Sequence, residues 1–496
     1  MIPDLLLAID IGTGSARAAI VTDSGTIAAF AAREHEQTIP RFAWSQQRPR
    51  TWWDGVVLSI RSVLQKIPEA ADRIAGIAVC GQMHGIVLID ETGELVLEEA
   101  PLWNDKRTRE LVARFIQEHD ADALWQATAN PPTVAWPGFK LAWIKQNAPK
   151  AYDAARTFLA PKDYINFMLT GERRIDFCEA SCSYMFDIRS RTWSSDLLRI
   201  LDLDPEKLPP LGAASDLLGS VTKTASEFTG LRAGTPVAVG AGDFPAALLG
   251  SGVSEPGHAC EITGTSTLVA VLAERPASDY AISNLLCITE GWAAFTIVDA
   301  AGDAIRWART LFQGGENDYD GLIARAEKVP AGAEGLLFLP YLSGERIARQ
   351  PNSRAQFFGL TTRHGVGHLN RAILEGVAFA SNRQIASLNK KGYGFDRIVA
   401  AGGGAKSSFW LRIKASIYNR PIMIPAEPEC GVVGCAILAG VASGLFSDLE
   451  SQVSKRIRYV GEIAPDPDWQ ERYAKGQLLF NDIYESSERF WDRLGR

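Results

Sequence analysis

Apolar residues run along this chain in two rhythms, and the switches between them mark its elements. Residues 2–21 and 26–33 alternate apolar and polar side chains around the turns Gly12-Thr13-Gly14-Ser15 and Asp23-Ser24-Gly25, the period of strands. Residues 50–66 change to a helical period that places Trp53, Val57, Ile60 and Leu64 on one face. Residues 74–80 form a short apolar run, a buried strand, followed by the loop Gly81-Gln82-Met83-His84-Gly85 and a further strand over 86–89. Helices are predicted over 106–118, 139–146 and 162–169, the last stopped by Gly171. Residues 170–220 are irregular and polar, which predicts loops and short helices. A strand over 236–240 leads through Ala241-Gly242-Asp243 into an apolar helix starting at Phe244. Beyond it come a second strand–turn–strand over 259–271, a helix over 303–312, a strand over 335–340 and a long amphipathic helix over 369–388. A strand over 397–400, the turn Gly402-Gly403-Gly404 and a helix from Ser407 complete the pattern. Strands followed by helices at this spacing predict an α/β architecture.

The two strand–turn–strand stretches echo each other. Aligning Gly12-Thr13 with Gly264-Thr265 matches Thr or Ser and apolar strand residues on both sides, which suggests a duplicated fold. A chain of 496 residues also exceeds what one core supports, so two domains are expected, over 1–242 and 243–496. A hydrophobic share of 46% and a charged share of 22% belong to a globular protein. A net charge of −7 without a long basic run argues against nucleic acid as the main partner. It leaves small anions open, because local glycine turns bind phosphate whatever the global charge. The seven cysteines include no CxxC pair and read as buried small side chains of a reducing compartment. Asp4 and Asp10 interrupt the N-terminal apolar run, which spoils a signal peptide, and residues 431–444 are too short and glycine-rich to span a bilayer. A cytoplasmic protein with no membrane partner is the expectation.

Backbone N–H groups in a glycine turn converge on a phosphate without side-chain crowding, and Thr13, Ser15, Thr265 and Ser266 add hydroxyl donors. Each turn alone reads equally well as a plain hairpin; a matched pair with a third turn at 402–404 points to a nucleotide. The dinucleotide pattern GxGxxG fails because Arg17 stands in the last glycine position. The P-loop pattern fails at Gly404-Ala405-Lys406-Ser407, where Gly should precede the Lys.

Ordered matches then run nearly end to end: Ile9-Asp10-Ile11-Gly12-Thr13, GQMHG at 81–85, Leu102-Trp103-Asn104-Asp105, Pro161-Lys162-Asp163-Tyr164, Gly264-Thr265-Ser266, FLPYLSGER at 338–346 and Gly402-Gly403-Gly404-Ala405. With them go two longer signatures, over 137–147 with Lys140 and Trp143, and over 358–375. On these residues the chain resembles the FGGY carbohydrate kinases of the actin and hexokinase ATPase superfamily, nearest to the xylulokinase branch. The resemblance implies two actin-like (ribonuclease H-like) α/β domains with a deep interdomain cleft, the N-terminal one on the sugar side and the C-terminal one on the ATP side. It implies ATP, Mg²⁺ and a small sugar as ligands, with phosphate passing to a ketopentose, D-xylulose foremost, and a homodimer is compatible with it.

Residue by residue, the resemblance makes Asp243 the general base and Asp10 the Mg²⁺ carboxylate, held through water. Gly12, Thr13, Gly14, Arg17, Gly264 and Thr265 are the expected phosphate contacts, and Gly302, Gly403 and Gly404 approach the remaining phosphates and the adenosine. Met83, His84, Trp103, Asp243 and Phe244 fall on the sugar. Each has a plainer reading: Asp243 as a helix cap, Asp10 as a turn residue, Arg17 as an exposed strand charge, His84 as a structural donor, Met83 and Trp103 as core. Asn104 and Asp105 read as caps of the following helix, and Trp136 as a pocket or core residue. One position departs from the pattern: xylulokinases usually carry Asn after the catalytic Asp, and a phenyl ring at Phe244 cannot make that amide's hydrogen bond, which changes discrimination among hydroxylated substrates. The rivals are a kinase for another ketose, polyol or sugar acid, an ATP-driven actin- or chaperone-like binding protein, and a non-catalytic sugar sensor.

Overall fold

The strand Leu5–Ile11 is buried along its whole length because both of its faces are covered. Leu5, Leu7, Ile9 and Ile11 pack in one cluster with Trp52, Val56 and Ile60 of the helix Pro49–Lys66. Leu6 and Ala8 pack in another with Val433, Ala436 and Ile437 of the helix Cys430–Ala442. Burying each such side chain is worth about 1.5–3 kcal/mol, and the period of two leaves Asp10 at the end of the second face. The computed structural model describes residues 4–41, 43–312, 318–345, 350 and 352–494; Ile2 and Arg346, which belong to expected segments, lie outside them.

Two units are formed. The first comprises Met1–Ser254, Asn284–Trp292 and Glu429–Ile457, and the second Glu255–Ser283, Ala293–Pro428 and Arg458–Arg496. In the first, a seven-stranded sheet has the order Leu217–Ser220, Pro236–Ala238, Ile74–Gly81, Leu5–Ile11, Ser15–Thr22, Ile27–Glu34, with Ala241–Gly242 also paired to Ile74–Gly81. In the second, Ala259–Thr263 sits centrally, antiparallel to Thr267–Ala273 and parallel to Ile398–Ala401. Leu5–Ile11 is likewise antiparallel to the strand after its turn and parallel to Ile74–Gly81. The sequence echo is thus a repeat of sheet topology. The second sheet packs against the helices Gly302–Phe312, Val366–Lys390 and Ser408–Tyr418, and Tyr473, Phe480, Tyr484 and Trp491 of the final helix Pro467–Leu494 close its core.

Two local expectations are corrected. The first helix fully buries Trp52, Val56, Ile60 and Val63, while Val57 and Leu64 are only partly covered; its apolar stripe is wide enough that its centre falls one residue earlier than read. The polar stretch 170–220 does hold short helices and loops, but also short strands, and much of it is buried, including Asp176, Glu179, Ser181 and Ser183. Some of its polar groups are paired inside the protein: Glu179 accepts the His84 N–H, Asp176 accepts the Glu179 N–H and the Ser181 hydroxyl donates to the Cys178 carbonyl. Among the described residues no helix is long and apolar enough to cross a membrane.

The apolar helix Asp243–Gly250 lies directly against Cys430–Ala442, and glycines set the distance. A Cβ on Gly434 would meet the Ala246 carbonyl oxygen at 1.9 Å, and one on Gly250 the Cys430 carbonyl oxygen at 1.8 Å. On the sheet, a Cβ on Gly76 would come to 2.5 Å from the Ala439 oxygen. These contacts explain the glycines in an otherwise continuous apolar run, and they fix where Asp243, the first residue of its helix, stands. Substituting Gly434 by Ala should therefore destabilise the protein by about 1–3 kcal/mol or more, visible as a lowered calorimetric transition. Gly461→Ala, where a Cβ would meet nothing within 4 Å, should leave the transition in place.

Candidate functional site

Strand register gathers the first-unit candidates. Asp10 pairs with Cys80, and Cys80 with Ala241, so the ends of three neighbouring strands deliver Asp10, the loop after Gly81 and Asp243 to one edge of the sheet. A Cβ on Gly242 would strike the Met83 side chain at 2.5 Å, which packs Met83 against the residue before Asp243. Across the hairpin, Arg17 pairs with Asp10 and its guanidinium donates to Asp10 Oδ2 at 2.8 Å and to Ser15 Oγ at 3.1 Å. Arg17 is therefore an ion-pair partner of Asp10, beyond the exposed strand charge that the sequence also allowed.

The two carboxylates act on each other. Burial raises the Asp10 pKa, against the pull of Arg17. Burial, and then the negative charge of Asp10, push Asp243 up to about 7. Asp243 Oδ1 also accepts the Phe244 backbone N–H at 2.7 Å, so the capping reading holds in part: the carboxylate tethers the first turn of its own helix with one oxygen. Phe244 is partly buried. Asp10 Oδ1 is buried and makes no hydrogen bond among the described residues. An unused carboxylate oxygen beside a glycine turn fits a hydrated cation, for which one protein carboxylate suffices.

Thr13 faces a different set of partners. Its hydroxyl accepts the Trp103 indole N–H at 2.9 Å and donates to Gln82 Oε1 at 3.2 Å, and its carbonyl accepts from Gln47 at 2.7 Å. The first glycine turn is thus tied to Trp103 and to the 81–85 loop. Gly12 N–H closes the turn on Ser15 O at 3.0 Å; His35 bonds the Gly12 carbonyl at 2.9 Å and, through its N–H, the Gly14 carbonyl at 3.0 Å.

His84 takes a left-handed backbone, φ 63°, uncommon for a residue with a Cβ. Its N–H donates to Glu179 at 2.6 Å and its carbonyl accepts from Lys140 at 2.8 Å, so both flanking peptides are clamped. The ring meets the edge of Trp136 at 5.1 Å between centroids. Glu179, on the short helix Phe177–Ser181, is buried and its carboxyl is pushed well up, chiefly by burial. Deeper still, Lys162 pairs with Asp163 and, at 3.0 Å, with Asp176. Asp105 is fully buried and accepts from Arg107 and from Ser45 N–H, which makes it a loop anchor; Asn104 donates to Gln37. Gln82, Glu179 and His35 were not singled out from the sequence. Gln82 stood inside a quoted motif, whereas Glu179 lies in a stretch whose polarity gave no such signal.

The remaining candidates come together within the second unit. Gly264 N–H bonds Ser266 O at 2.9 Å, and Thr265 O accepts the Asp303 N–H at 3.1 Å. A Cβ on Gly302 would meet the Gly264 carbonyl at 2.0 Å. Gly402, at φ 77°, lies over Thr263 O, where a Cβ would come to 2.7 Å, and a Cβ on Gly404 would meet Thr263 Cβ at 2.5 Å. The turn at 264–266, Gly302 and Gly402–Gly404 thus close around the end of one strand, a backbone-lined surface of the kind that accepts phosphate.

Comparison with known proteins matches both parts of the chain to one family. The model of the FGGY family of carbohydrate kinases, N-terminal domain, matches residues 5–250, and that of its C-terminal domain residues 260–443. A xylulose kinase of Bacillus subtilis is 28% identical over 484 residues, covering 97% of this chain and 96% of its own. A gluconokinase of the same organism is 27% identical, covering 99% and 97%. The crystal structure of a xylulose kinase from Rhodospirillum rubrum superposes with a TM-score of 0.87 at 32% identity, over 98% of this chain and all of that one.

The Asp243 carboxyl titrates in an unusual range. Burial and the Asp10 charge favour its neutral form, so it should be protonated below a midpoint near 7 and ionised above it. Burial also pushes Asp163 up to about 7, so infrared difference spectra of protein carrying carboxyl-labelled aspartate should show a component with that midpoint that is lost in Asp243→Asn and kept in Asp163→Asn. A band titrating only near the ordinary aspartate value of about 4 would contradict the arrangement.

Proposed function

Because the chain belongs to the FGGY family of carbohydrate kinases, we propose that it passes the γ-phosphoryl group of ATP to a primary hydroxyl of a neutral ketopentose, D-xylulose first among them. Membership makes it a phosphotransferase acting on an alcohol, and its two sheet-containing units have the actin-like α/β fold of those kinases. The proposal concerns the sugar and the residue roles. The observation that carries it is the pair Asp10–Asp243 at one sheet edge, beside a clamped His84 and a hydrogen-bonded Trp103.

Phosphoryl transfer leaves the protein little covalent chemistry; positioning and charge stabilisation do most of the work. Asp243, ionised, takes the proton of the attacking hydroxyl as that oxygen bonds to phosphorus and ADP departs. Asp10 is the residue to hold Mg²⁺, which when bound supplies positive charge against the phosphates. Arg17 keeps Asp10 ionised and in place. Thr265, Gly302, Gly403 and Gly404 serve the nucleotide, and Gly12 and Gly14 leave the first turn open to its phosphates. His84 offers ring nitrogens to sugar hydroxyls and Trp103 a flat apolar wall. Thr13 acts here by orienting Trp103.

A neutral ketose is preferred to a sugar acid on electrostatic grounds. An acid would add a negative charge near Asp10 and Asp243, where Arg17 is already bound to Asp10. The gluconokinase likeness keeps the acid as the second reading. An ADP-release assay over a panel of sugars should give kcat/KM for D-xylulose at least about tenfold above that for gluconate, a gap of about 1.4 kcal/mol; the reverse order would establish the second reading.

Asp243→Ala should lower kcat by about 10²–10⁴, the usual worth of a positioned acid–base group, while calorimetry still shows ATP binding. In the unaltered protein kcat/KM should rise with pH through about 7, since the working form is the ionised one. Normal turnover by the Ala variant would refute the assignment.

A further inference from the structure

Beneath the second glycine turn lies a buried charge that the reaction does not use. Lys414, on the helix Ser408–Tyr418, is 1% exposed. Its ammonium donates to Thr263 Oγ1 at 2.9 Å and pairs with Glu261 at 2.7 Å. Tyr418 donates its hydroxyl to the same Glu261 oxygen at 3.1 Å, and the Thr263 and Thr267 hydroxyls bond at 2.9 Å. The ammonium also lies 4.0 Å from the Trp410 ring centroid. Glu261, Thr263, Thr267 and Tyr418 are all buried.

Burying a lysine is expensive, and an ion pair in such a place is weak evidence for stability, since well-packed apolar residues often do as well. What this pair has is position. Thr263 ends the strand Ala259–Thr263, immediately before Gly264-Thr265-Ser266. The turn at 402–404 rests on the same residue, its backbone close to Thr263 O and Thr263 Cβ, and Gly302 rests on Gly264. Each element of the second unit assigned to the nucleotide therefore takes its placement from Thr263 or from the residue after it. A threonine side chain in an apolar site would be free to choose among rotamers; one that accepts from an immobile ammonium is not.

We propose that Thr263, held through its hydroxyl by Lys414 and Glu261, is the positioning residue that sets the spacing between the 264–266 turn and the 402–404 turn, and so the affinity for the nucleoside triphosphate. This rests on the nucleotide assignment above. Neither side chain reaches the reacting atoms; the lysine acts through the threonine, and the threonine through backbone.

The test compares Thr263→Val, which keeps shape and removes the hydroxyl, with Thr263→Ser, which restores it. Thr263→Val should raise KM for ATP and the calorimetric Kd for ATP about tenfold, the effect of one buried hydrogen bond and its orphaned partner. KM for the sugar and kcat at saturating ATP should stay within about twofold, and Thr263→Ser should recover most of the loss. Lys414→Met should follow Thr263→Val. Gly403→Asp serves as reference: a Cβ there has room, its nearest neighbour in the turn being Thr263 O at 3.9 Å, and a carboxylate should repel the triphosphate. If Gly403→Asp abolishes ATP binding while Thr263→Val binds ATP normally, the positioning role is overturned and the nucleotide assignment stands. If Gly403→Asp also binds ATP normally, the assignment itself falls, and the proposal with it. A Thr263→Val protein that loses sugar and ATP affinity alike, with a lower melting temperature, would show a merely structural residue.

Discussion

One guanidinium serves two carboxylates in the first unit, and the site depends on that imbalance. Arg17 is bonded to Asp10 and only acts at a distance on Asp243. Arg17 opposes the upward push of burial on Asp10, while Asp243 feels its neighbour's charge with no salt bridge among the described residues. On the roles proposed above the two acids differ in duty: one, paired with Arg17, is suited to a cation, and one, poised near neutrality, is suited to receiving a proton. Nothing in this needs an exotic residue. It needs strand register accurate to one residue, because a slip would turn Asp10 to the opposite face.

The same supersecondary unit is used twice with different fillings. In both hairpins a glycine turn joins antiparallel strands, and the first strand lies parallel to one that delivers a second loop. In the first copy the polar residues at the strand end are Asp10 and Arg17, with an unsatisfied carboxylate oxygen. In the second the charged pair, Glu261 and Lys414, is sunk below the turn, and the turn itself presents backbone. The same geometry holds its ion pair at the strand end beside the turn in one copy and below the turn in the other.

Much of this was legible in the chain because it rests on local rules. Alternation over the hairpins, stop signals such as Gly171 and the sheet-to-helix step at Asp243 are properties of short windows, and the elements stand within a few residues of where pattern placed them. The first helix was displaced by one position because its apolar stripe is broad. What pattern could not show was pairing at a distance. Glu179 holds the backbone N–H of His84, 95 residues away, and sits in a polar stretch that read only as loops and short helices. Arg17 was seen as a basic residue near a phosphate turn, yet its partner is Asp10, seven positions before it, and only the antiparallel register puts the two side by side. The glycines of 431–444 read only as a reason against a membrane span; the reason for Gly434 is a neighbouring helix whose backbone comes within reach of a Cβ.

That last contact links packing to chemistry. The helix Cys430–Ala442 covers the same face of the sheet that ends in Asp10 and also sets the depth of Asp243–Gly250. It is therefore the common neighbour of both carboxylates, and its place in sequence, far from either, is a consequence of the fold. A side chain larger than hydrogen at Gly434 or Gly250 would move one carboxylate relative to the other. At effective protein dielectric constants of about 20, the interaction of two charges 4 Å apart changes by about 1 kcal/mol for each ångström moved, close to one pKa unit. Packing of this tightness is thus the mechanical condition for an acid poised near neutrality, and on the proposed roles it ties the poorly visible glycines to the acids they locate.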